Sequence, residues 1–142
     1  MSIRIYTDGS AKGNPGPGGY GIVLLSDEGH RKELAKGYRK TTNNRMELMA
    51  PIMALRKIKA HSEITIYTDS KYVKDGITGW IKKWKLNNWV SASKKPVKNK
   101  DLWIKLDNLC QKHKVIWKWV KAHAGNKFNN LVDELAVMET KK

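Results

Sequence analysis

Alternating apolar and polar residues, rich in β-branched and aromatic side chains, predict a β-strand at the start of the chain. This first strand covers residues 3–8, and similar short runs predict further strands over residues 20–25, 32–39, 64–69 and 115–120. A glycine-rich turn region precedes the second strand, and residues 27–30 have the composition of a hairpin turn. The second and third strands are therefore expected to be neighbours.

Apolar residues at helical spacing predict helices over residues 46–58, 70–81, 99–112 and 129–138. We expect a bend in the second helix at Gly76 and Gly79, and a kink in the first at Pro51, which has no N–H to bond the carbonyl of Glu47. The order β-β-β-α-β-α-α-β-α predicts a mixed sheet in a single α/β domain spanning residues 1–142.

The charge of the chain indicates a polyanionic partner. Lys and Arg number 28 against 13 Asp and Glu, a formal net charge of +15, which suits nucleic acid or an anionic membrane face. No apolar run is long enough for a signal peptide or a membrane span, so no membrane association is expected. The single cysteine, Cys110, excludes an intrachain disulfide and fits a reducing compartment, the cytoplasm.

The sharpest local signal is a near-repeat of two strands. Residues 3–8 and 64–69 are identical at five of six positions and end in Asp8 and Asp69. If these strands are parallel neighbours, both carboxylates lie side by side at the C-terminal edge of the sheet, where α/β proteins bind ligands. The alternative is that each aspartate only caps the element that follows it.

Two carboxylates held close together must share a proton or bind a cation. Oxygen ligands favour Mg²⁺ or Mn²⁺, and the histidines and Cys110 do not have the spacing of a zinc site. On a strongly basic domain, a hard-metal site indicates phosphodiester hydrolysis. Paired carboxylates also serve glycoside hydrolysis, which the positive charge argues against.

Several separated motifs together resemble the type 1 ribonuclease H family, in the right order and over essentially the whole chain. They are residues 6–10 (YTDGS), 13–16 (GNPG), 42–48 (TNNRMEL), 67–70 (YTDS), 120–125 (VKAHAG) and 133–136 (DELA). The resemblance implies a five-stranded mixed sheet flanked by helices, the ribonuclease H-like fold. It also implies hydrolysis of the RNA strand of RNA–DNA hybrids, with two Mg²⁺ ions per site or Mn²⁺ as a substitute, leaving 3′-hydroxyl and 5′-phosphate ends.

The resemblance assigns catalytic roles residue by residue. Asp8, Glu47, Asp69 and Asp133 become the metal-binding carboxylates, with Asp8 shared by both ions, and His123 handles protons or helps the product leave. Without the resemblance, Glu47 and Asp133 would be interpreted as ordinary surface acids of helices, and His123 as a loop histidine.

The resemblance also assigns residues to the hybrid. Asn14, Asn43 and Asn44 would read the 2′-hydroxyls of RNA, and Thr42 and Asn99 would grip a phosphate of the DNA strand. The remaining candidates lie beside Asp69 or in a basic, tryptophan-bearing segment similar to the family's protrusion: Lys71, Trp80, Trp84, Lys85, Trp89, Lys94 and Lys95. The tryptophans at helical spacing are equally consistent with core packing.

Two other functional classes remain open at this stage: a catalytically silent hybrid-binding module, and a related nuclease of the resolvase or integrase type acting on DNA. Loss of a carboxylate would favour the binding module, and all four are present. A domain cut from a reverse transcriptase is a further alternative. The initial Met and the full set of elements favour a free-standing enzyme, and a monomer is expected because the sequence shows no exposed apolar stripe.

Overall fold

The computed structural model describes residues 2–91, 93–121 and 127–141. Five strands form one sheet with the spatial order β3-β2-β1-β4-β5. Their bounds are β1 Ser2–Ala11, β2 Gly16–Ser26, β3 Arg31–Thr41, β4 Glu63–Thr68 and β5 Lys114–Trp119. The β1–β2 and β2–β3 pairs are antiparallel, and the β1–β4 and β4–β5 pairs are parallel. The predicted mixed sheet is therefore confirmed.

The near-repeat seen in the sequence is a pair of neighbouring strands. β1 and β4 are parallel and exactly in register, with Ile3 opposite Ile64 and Thr7 opposite Thr68. Identical side chains therefore face each other at four of the six register positions, and the rings of Tyr6 and Tyr67 stack with their centroids 4.5 Å apart. As a result, the aspartates that follow Thr7 and Thr68 come to the same edge of the sheet.

Helices cover both faces of the sheet. They are α1 Asn43–Arg56, α2 Lys71–Asp75, α3 Ile81–Leu86, α4 Lys100–Gln111 and α5 Lys127–Thr140. A π-helical stretch, Gly76–Trp80, joins α2 to α3, so the irregularity expected at Gly76 and Gly79 is a wider helical turn within a continuous helical segment. α1 stays helical through the buried Pro51, which does not end it. Within the described residues, no helix is both long and apolar enough to cross a membrane.

The main core lies between the sheet and helices α1 and α4. Ile5 and Ile66 from the sheet, Leu48 from α1 and Trp103 from α4 are fully buried there. α5 packs on the opposite face, where Val132 joins a smaller cluster with Tyr6 and Val23. This contact is close, because a Cβ on Gly21 of β2 would overlap the Val132 carbonyl. Asp133, the next residue of α5, lies close to Asp8 of β1.

The two glycines of the π-helical stretch provide a test of the packing. A Cβ on Gly76 would overlap the ring of the fully buried Trp103, whereas a Cβ on Gly79 would meet nothing within 4 Å. We expect Gly76→Ala to lower the free energy of unfolding by about 1–3 kcal/mol, the usual cost of overpacking a core.

The matched control is Gly79→Ala, which we expect to leave stability unchanged or raise it by about 0.5–1 kcal/mol, since alanine favours helical backbone. Urea unfolding of both variants measures the difference. Equal effects of the two substitutions would contradict the packing described.

Candidate active site

The backbone amide of Gly9 holds two carboxylates of the candidate site. It donates to Oδ1 of Asp8 at 2.9 Å and to Oε1 of Glu47 at 2.6 Å. Asp8 belongs to β1 and Glu47 to α1, and both side chains are buried. Glycine is needed between them, because a Cβ at position 9 would overlap the backbone of Met46 and Glu47. The close approach of α1 to β1 therefore brings Glu47 to Asp8.

Asp69 completes a cluster of three carboxylates. It follows β4, and one oxygen each of Asp8, Glu47 and Asp69 lie within 4.8 Å of one another. The parallel pairing of β1 with β4 accounts for the proximity of the two aspartates, as the sequence predicted. Asp69 Oδ1 is buried and has no hydrogen-bond partner among the described residues, so it is available to a ligand.

Trp119 fixes the backbone at Asp69. Trp119 is the last residue of β5 and lies in register with Thr68 of β4. Its indole Nε1 donates a hydrogen bond to the Asp69 carbonyl at 2.9 Å. The Lys71 ammonium lies 4.8 Å from the centre of the same indole ring. Trp119 was not among the site residues predicted from the sequence; its position at the end of the strand beside β4 was the available signal.

Burial and mutual repulsion raise the pKa values of the cluster. Burial, the charge of Asp69 and a hydrogen bond with Asp133 raise the pKa of Asp8 to about 8. Burial, followed by the charges of Asp8 and Asp69, raises the pKa of Glu47 well above its usual range. Asp133 of α5 therefore reaches the site through Asp8. A bound cation would relieve this repulsion.

The chemistry of the donor set fits a divalent metal. Its ligand atoms are carboxylate oxygens, which suit hard cations such as Mg²⁺ and Mn²⁺. The unpartnered Asp69 oxygen and the raised pKa values of Asp8 and Glu47 fit acids positioned to share a cation. His123, the fifth catalytic residue predicted from the sequence, lies outside the described residues.

Two of the predicted phosphate-binding residues are connected through Arg45. Thr42 is the N-cap of α1, and its hydroxyl accepts a hydrogen bond from the Arg45 backbone N–H at 3.2 Å. The Arg45 guanidinium donates to Oδ1 of Asn99 at 3.2 Å. Asn43 and Asn44 begin α1 beside Thr42. The remaining predicted 2′-hydroxyl reader, Asn14, is exposed in the turn between β1 and β2.

The tryptophans predicted to bind nucleic acid form a chain that leads from the core to the surface. The Trp84 ring lies 5.4 Å from the buried Trp103 ring, and the Trp80 and Trp89 rings lie 6.0 and 6.3 Å from Trp84. Trp80 is 42% exposed, whereas Trp84 and Trp89 are half-buried. Packing against the core is therefore confirmed for Trp84 and Trp89. Trp80 is the most accessible of the three, and contact with nucleic acid stays a prediction.

The predicted lysines of this segment differ in their environment. Lys94 and Lys95 are exposed. Lys85 pairs with Asp107 of α4, with Nζ and Oδ2 3.0 Å apart, so its charge is partly neutralised inside the protein. This ion pair was not foreseen, because the two residues are distant in the sequence.

A buried carboxylate cluster at the edge of a mixed sheet, on a strongly basic protein, defines a metal-dependent nuclease. The ribonuclease H family model matches residues 1–141, and the chain belongs to this family. It is an endoribonuclease, and membership implies cleavage of the RNA strand in RNA–DNA hybrids. The chain is 56% identical over 135 residues to ribonuclease H of Pseudoalteromonas translucida, covering 95% of this chain and 87% of that protein. It is 58% identical over 134 residues to ribonuclease HI of Haemophilus influenzae, covering 94% and 86%.

Solved structures agree with the sequence relationship. LC9-RNase H1, described as a type 1 RNase H with the type 2 active-site motif, superimposes with a TM-score of 0.87 at 31% identity, covering 99% of this chain and 72% of that one. LC11-RNase H1, solved in complex with an RNA/DNA hybrid, has a TM-score of 0.70 at 25% identity, covering 98% and 96%. The ribonuclease H fold expected from the sequence is confirmed.

The raised pKa of Asp8 makes stability depend on pH when no divalent cation is bound. Aspartate ordinarily has a pKa of 3.8, whereas Asp8 in the folded protein keeps its proton to about pH 8. Between these values the folded state binds the extra proton, so stability falls as the pH rises. Asp8→Asn removes this ionisation. We expect the variant to be more stable than the wild type at pH 9 in EDTA, with the difference shrinking towards pH 4.

The expected gain at pH 9 is on the order of several kcal/mol, since each pKa unit corresponds to about 1.4 kcal/mol. Thermal or urea unfolding across this pH range measures it. Asp75→Asn, at an exposed position, serves as the control and should follow the wild type. A wild-type protein at least as stable as Asp8→Asn at pH 9 would show that repulsion in the cluster is weak.

Proposed function

We propose that the protein hydrolyses the RNA strand of RNA–DNA hybrids with Mg²⁺ as its cofactor, leaving 3′-hydroxyl and 5′-phosphate ends. The observation that carries this proposal is the buried cluster of Asp8, Glu47 and Asp69 with an unpartnered carboxylate oxygen. The similarity to LC11-RNase H1, solved with an RNA/DNA hybrid, supports the choice of substrate.

Asp8, Glu47, Asp69 and Asp133 would hold two Mg²⁺ ions during catalysis, with Asp8 shared between them. When bound, two such ions activate a water and neutralise charge on the departing oxygen. The protein contributes the rigid placement of the ligands. The Gly9 amide fixes Asp8 and Glu47 together, and the Trp119 indole fixes the backbone of Asp69. We assign His123 to proton handling or to product release.

Hybrid recognition would use the residues around this cluster. Asn14, Asn43 and Asn44 would contact 2′-hydroxyls, which both donate and accept hydrogen bonds. Thr42 and Asn99 would bind a phosphate of the DNA strand, which is supported by their connection through Arg45.

The basic segment would extend the contact along the nucleic-acid backbone. Lys71, held over Trp119 beside Asp69, would meet a phosphate close to the cleaved bond. The exposed face of Trp80 suits packing against sugars or bases. The other members of this surface would be Trp84, Lys85, Trp89, Lys94 and Lys95, with Lys85 leaving Asp107 to reach a phosphate.

We also propose that residues 1–142 form one domain that works as a monomer in the cytoplasm. The family match over residues 1–141 supports the single domain. Cys110 as the only cysteine is consistent with a reducing compartment.

The proposal predicts cleavage of the RNA strand only when it is paired with DNA and only with Mg²⁺. The measurement uses RNA labelled at one end, presented as RNA–DNA hybrid, double-stranded RNA or single-stranded RNA, with Mg²⁺ or with EDTA. Asp8→Asn should abolish cleavage because it removes the ligand shared by both ions. Asp75→Asn, at an exposed position and not part of the cluster, should cleave like the wild type.

The ends of the products test the finer claim, since only 3′-hydroxyl ends are extended by a polymerase without prior phosphatase treatment. Tight binding of hybrid without cleavage would favour the binding module instead. Cutting of the DNA strand would favour a resolvase or integrase-like activity.

His123→Ala should slow hybrid cleavage by about 10²-fold, the lower range for loss of a general acid–base group. The matched control is His61→Ala, an exposed histidine that precedes β4 at the opposite end from Asp69. Single-turnover and multiple-turnover rates separate proton transfer from product release. An unchanged rate in both regimes would remove His123 from the mechanism.

A further inference from the structure

Asn99 has a backbone conformation that frees its side chain. It occupies the N-cap position of α4 with φ 61° and ψ 27°, in the left-handed region, and its side chain makes no capping hydrogen bond. Asparagine tolerates this region better than most residues. The carboxamide therefore does not cap its own helix and makes its contacts elsewhere.

Two neighbours determine which way the Asn99 carboxamide faces. Arg45 Nη1 donates to Oδ1 at 3.2 Å, and Nδ2 donates to the Tyr72 hydroxyl at 3.2 Å. Because a guanidinium can only donate, the carbonyl oxygen of the carboxamide must face Arg45. The amino group then lies on the other side. One of its two N–H groups bonds Tyr72, and the other has no partner among the described residues.

Both neighbours are themselves held in place. Asp101 binds the Arg45 guanidinium through two hydrogen bonds of 3.1 and 2.8 Å, the bidentate geometry that fixes an arginine best. The Tyr72 hydroxyl also accepts from Nε1 of the buried Trp103 at 3.1 Å. Both lone pairs of the hydroxyl are thus in use, and the hydroxyl proton is left to donate.

We propose that Arg45, clamped by Asp101, and Tyr72 are positioning residues that fix the Asn99 carboxamide with its amino group outward, toward the DNA-strand phosphate. This inference rests on the proposed function, in which Asn99 and Thr42 bind that phosphate. A phosphate oxygen only accepts hydrogen bonds. A carboxamide free to rotate would present its own carbonyl oxygen to the phosphate for part of the time and weaken binding.

The network also connects Asn99 to Thr42. The Arg45 backbone N–H bonds the Thr42 hydroxyl oxygen, while its guanidinium bonds Asn99. One residue on the first turn of α1 therefore sets the side chains of both proposed phosphate contacts. Their groups come from helices α1 and α4, which the sequence separates by more than 40 residues.

The test compares hybrids in which single DNA phosphates are replaced by neutral methylphosphonates. A scan along the DNA strand locates the phosphate whose replacement raises the wild-type KM most, by about tenfold if one charge-assisted hydrogen bond is lost. The proteins compared are Arg45→Met, Asp101→Asn and, as the matched control, Lys114→Met. Lys114 is paired with Glu63 at the first residues of β5 and β4, the opposite end from Asp69.

Arg45→Met and Asp101→Asn should raise KM on the unmodified hybrid by about fivefold to tenfold, with kcat changed less than twofold. For these two variants, replacing the phosphate identified in the scan should raise KM by less than a further twofold. The reason is that the contact between Asn99 and this phosphate is already weakened. Lys114→Met, which also loses one positive charge, should keep the full tenfold response. This non-additivity separates positioning from a general loss of charge or of stability.

A full tenfold response in Arg45→Met and Asp101→Asn would overturn the inference, because Asn99 would then bind the phosphate without the clamp. Should Arg45→Met fail to fold, as judged by thermal unfolding, Asp101→Asn alone decides, since it retains Arg45 and releases only its guanidinium. The absence of any sensitive phosphate in the wild type would also overturn it. If no phosphate is sensitive but the wild type still cleaves the hybrid, only the inference fails and the proposed function is unaffected.

Discussion

The parallel, in-register pairing of β1 with β4 is the constraint on which the site depends. Buried isoleucines on both strands, including Ile5 and Ile66, hold this pair in the centre of the sheet. The same register forces Asp8 and Asp69 to one edge, where their charges repel in a poorly solvated environment. Burial of apolar surface offsets this repulsion. The protein thus keeps carboxylates that would separate if the backbone allowed it, and a cation relieves the conflict.

Close backbone approach extends the same principle to the helices. α1 can touch β1 because Gly9 has no side chain, and α5 can touch β2 at Gly21 for the same reason. These contacts bring Glu47 and Asp133 to Asp8. The Gly9 amide then acts as a shared hydrogen-bond donor for two acids whose charged neighbours are also acids. Rigidity at the backbone level is what gives the ligand set a defined geometry.

The proposed substrate surface is in direct contact with the hydrophobic core. Trp103 is fully buried, yet its indole N–H bonds the Tyr72 hydroxyl, which in turn accepts from Asn99. Trp84 packs on Trp103 and carries Trp80 outward. Asn99 and Trp84 therefore have little freedom to lose on binding, which favours tight and specific contacts.

Local sequence patterns were enough to predict the strands, one strand pairing and the kind of partner. Period-two alternation located the strands, the repeat ending in Asp8 and Asp69 indicated their parallel pairing, and the charge of +15 indicated a polyanionic partner. The sequence assigned Glu47 to the site only through the family resemblance, because nothing in its own helix distinguishes it from a surface acid. Tertiary structure alone decided that Lys85 pairs with Asp107 and that Arg45 orients Asn99. The physical reason is that hydrogen bonds and repulsion act over a few ångströms, whereas residues far apart in sequence reach that distance only after the helices have packed on the sheet.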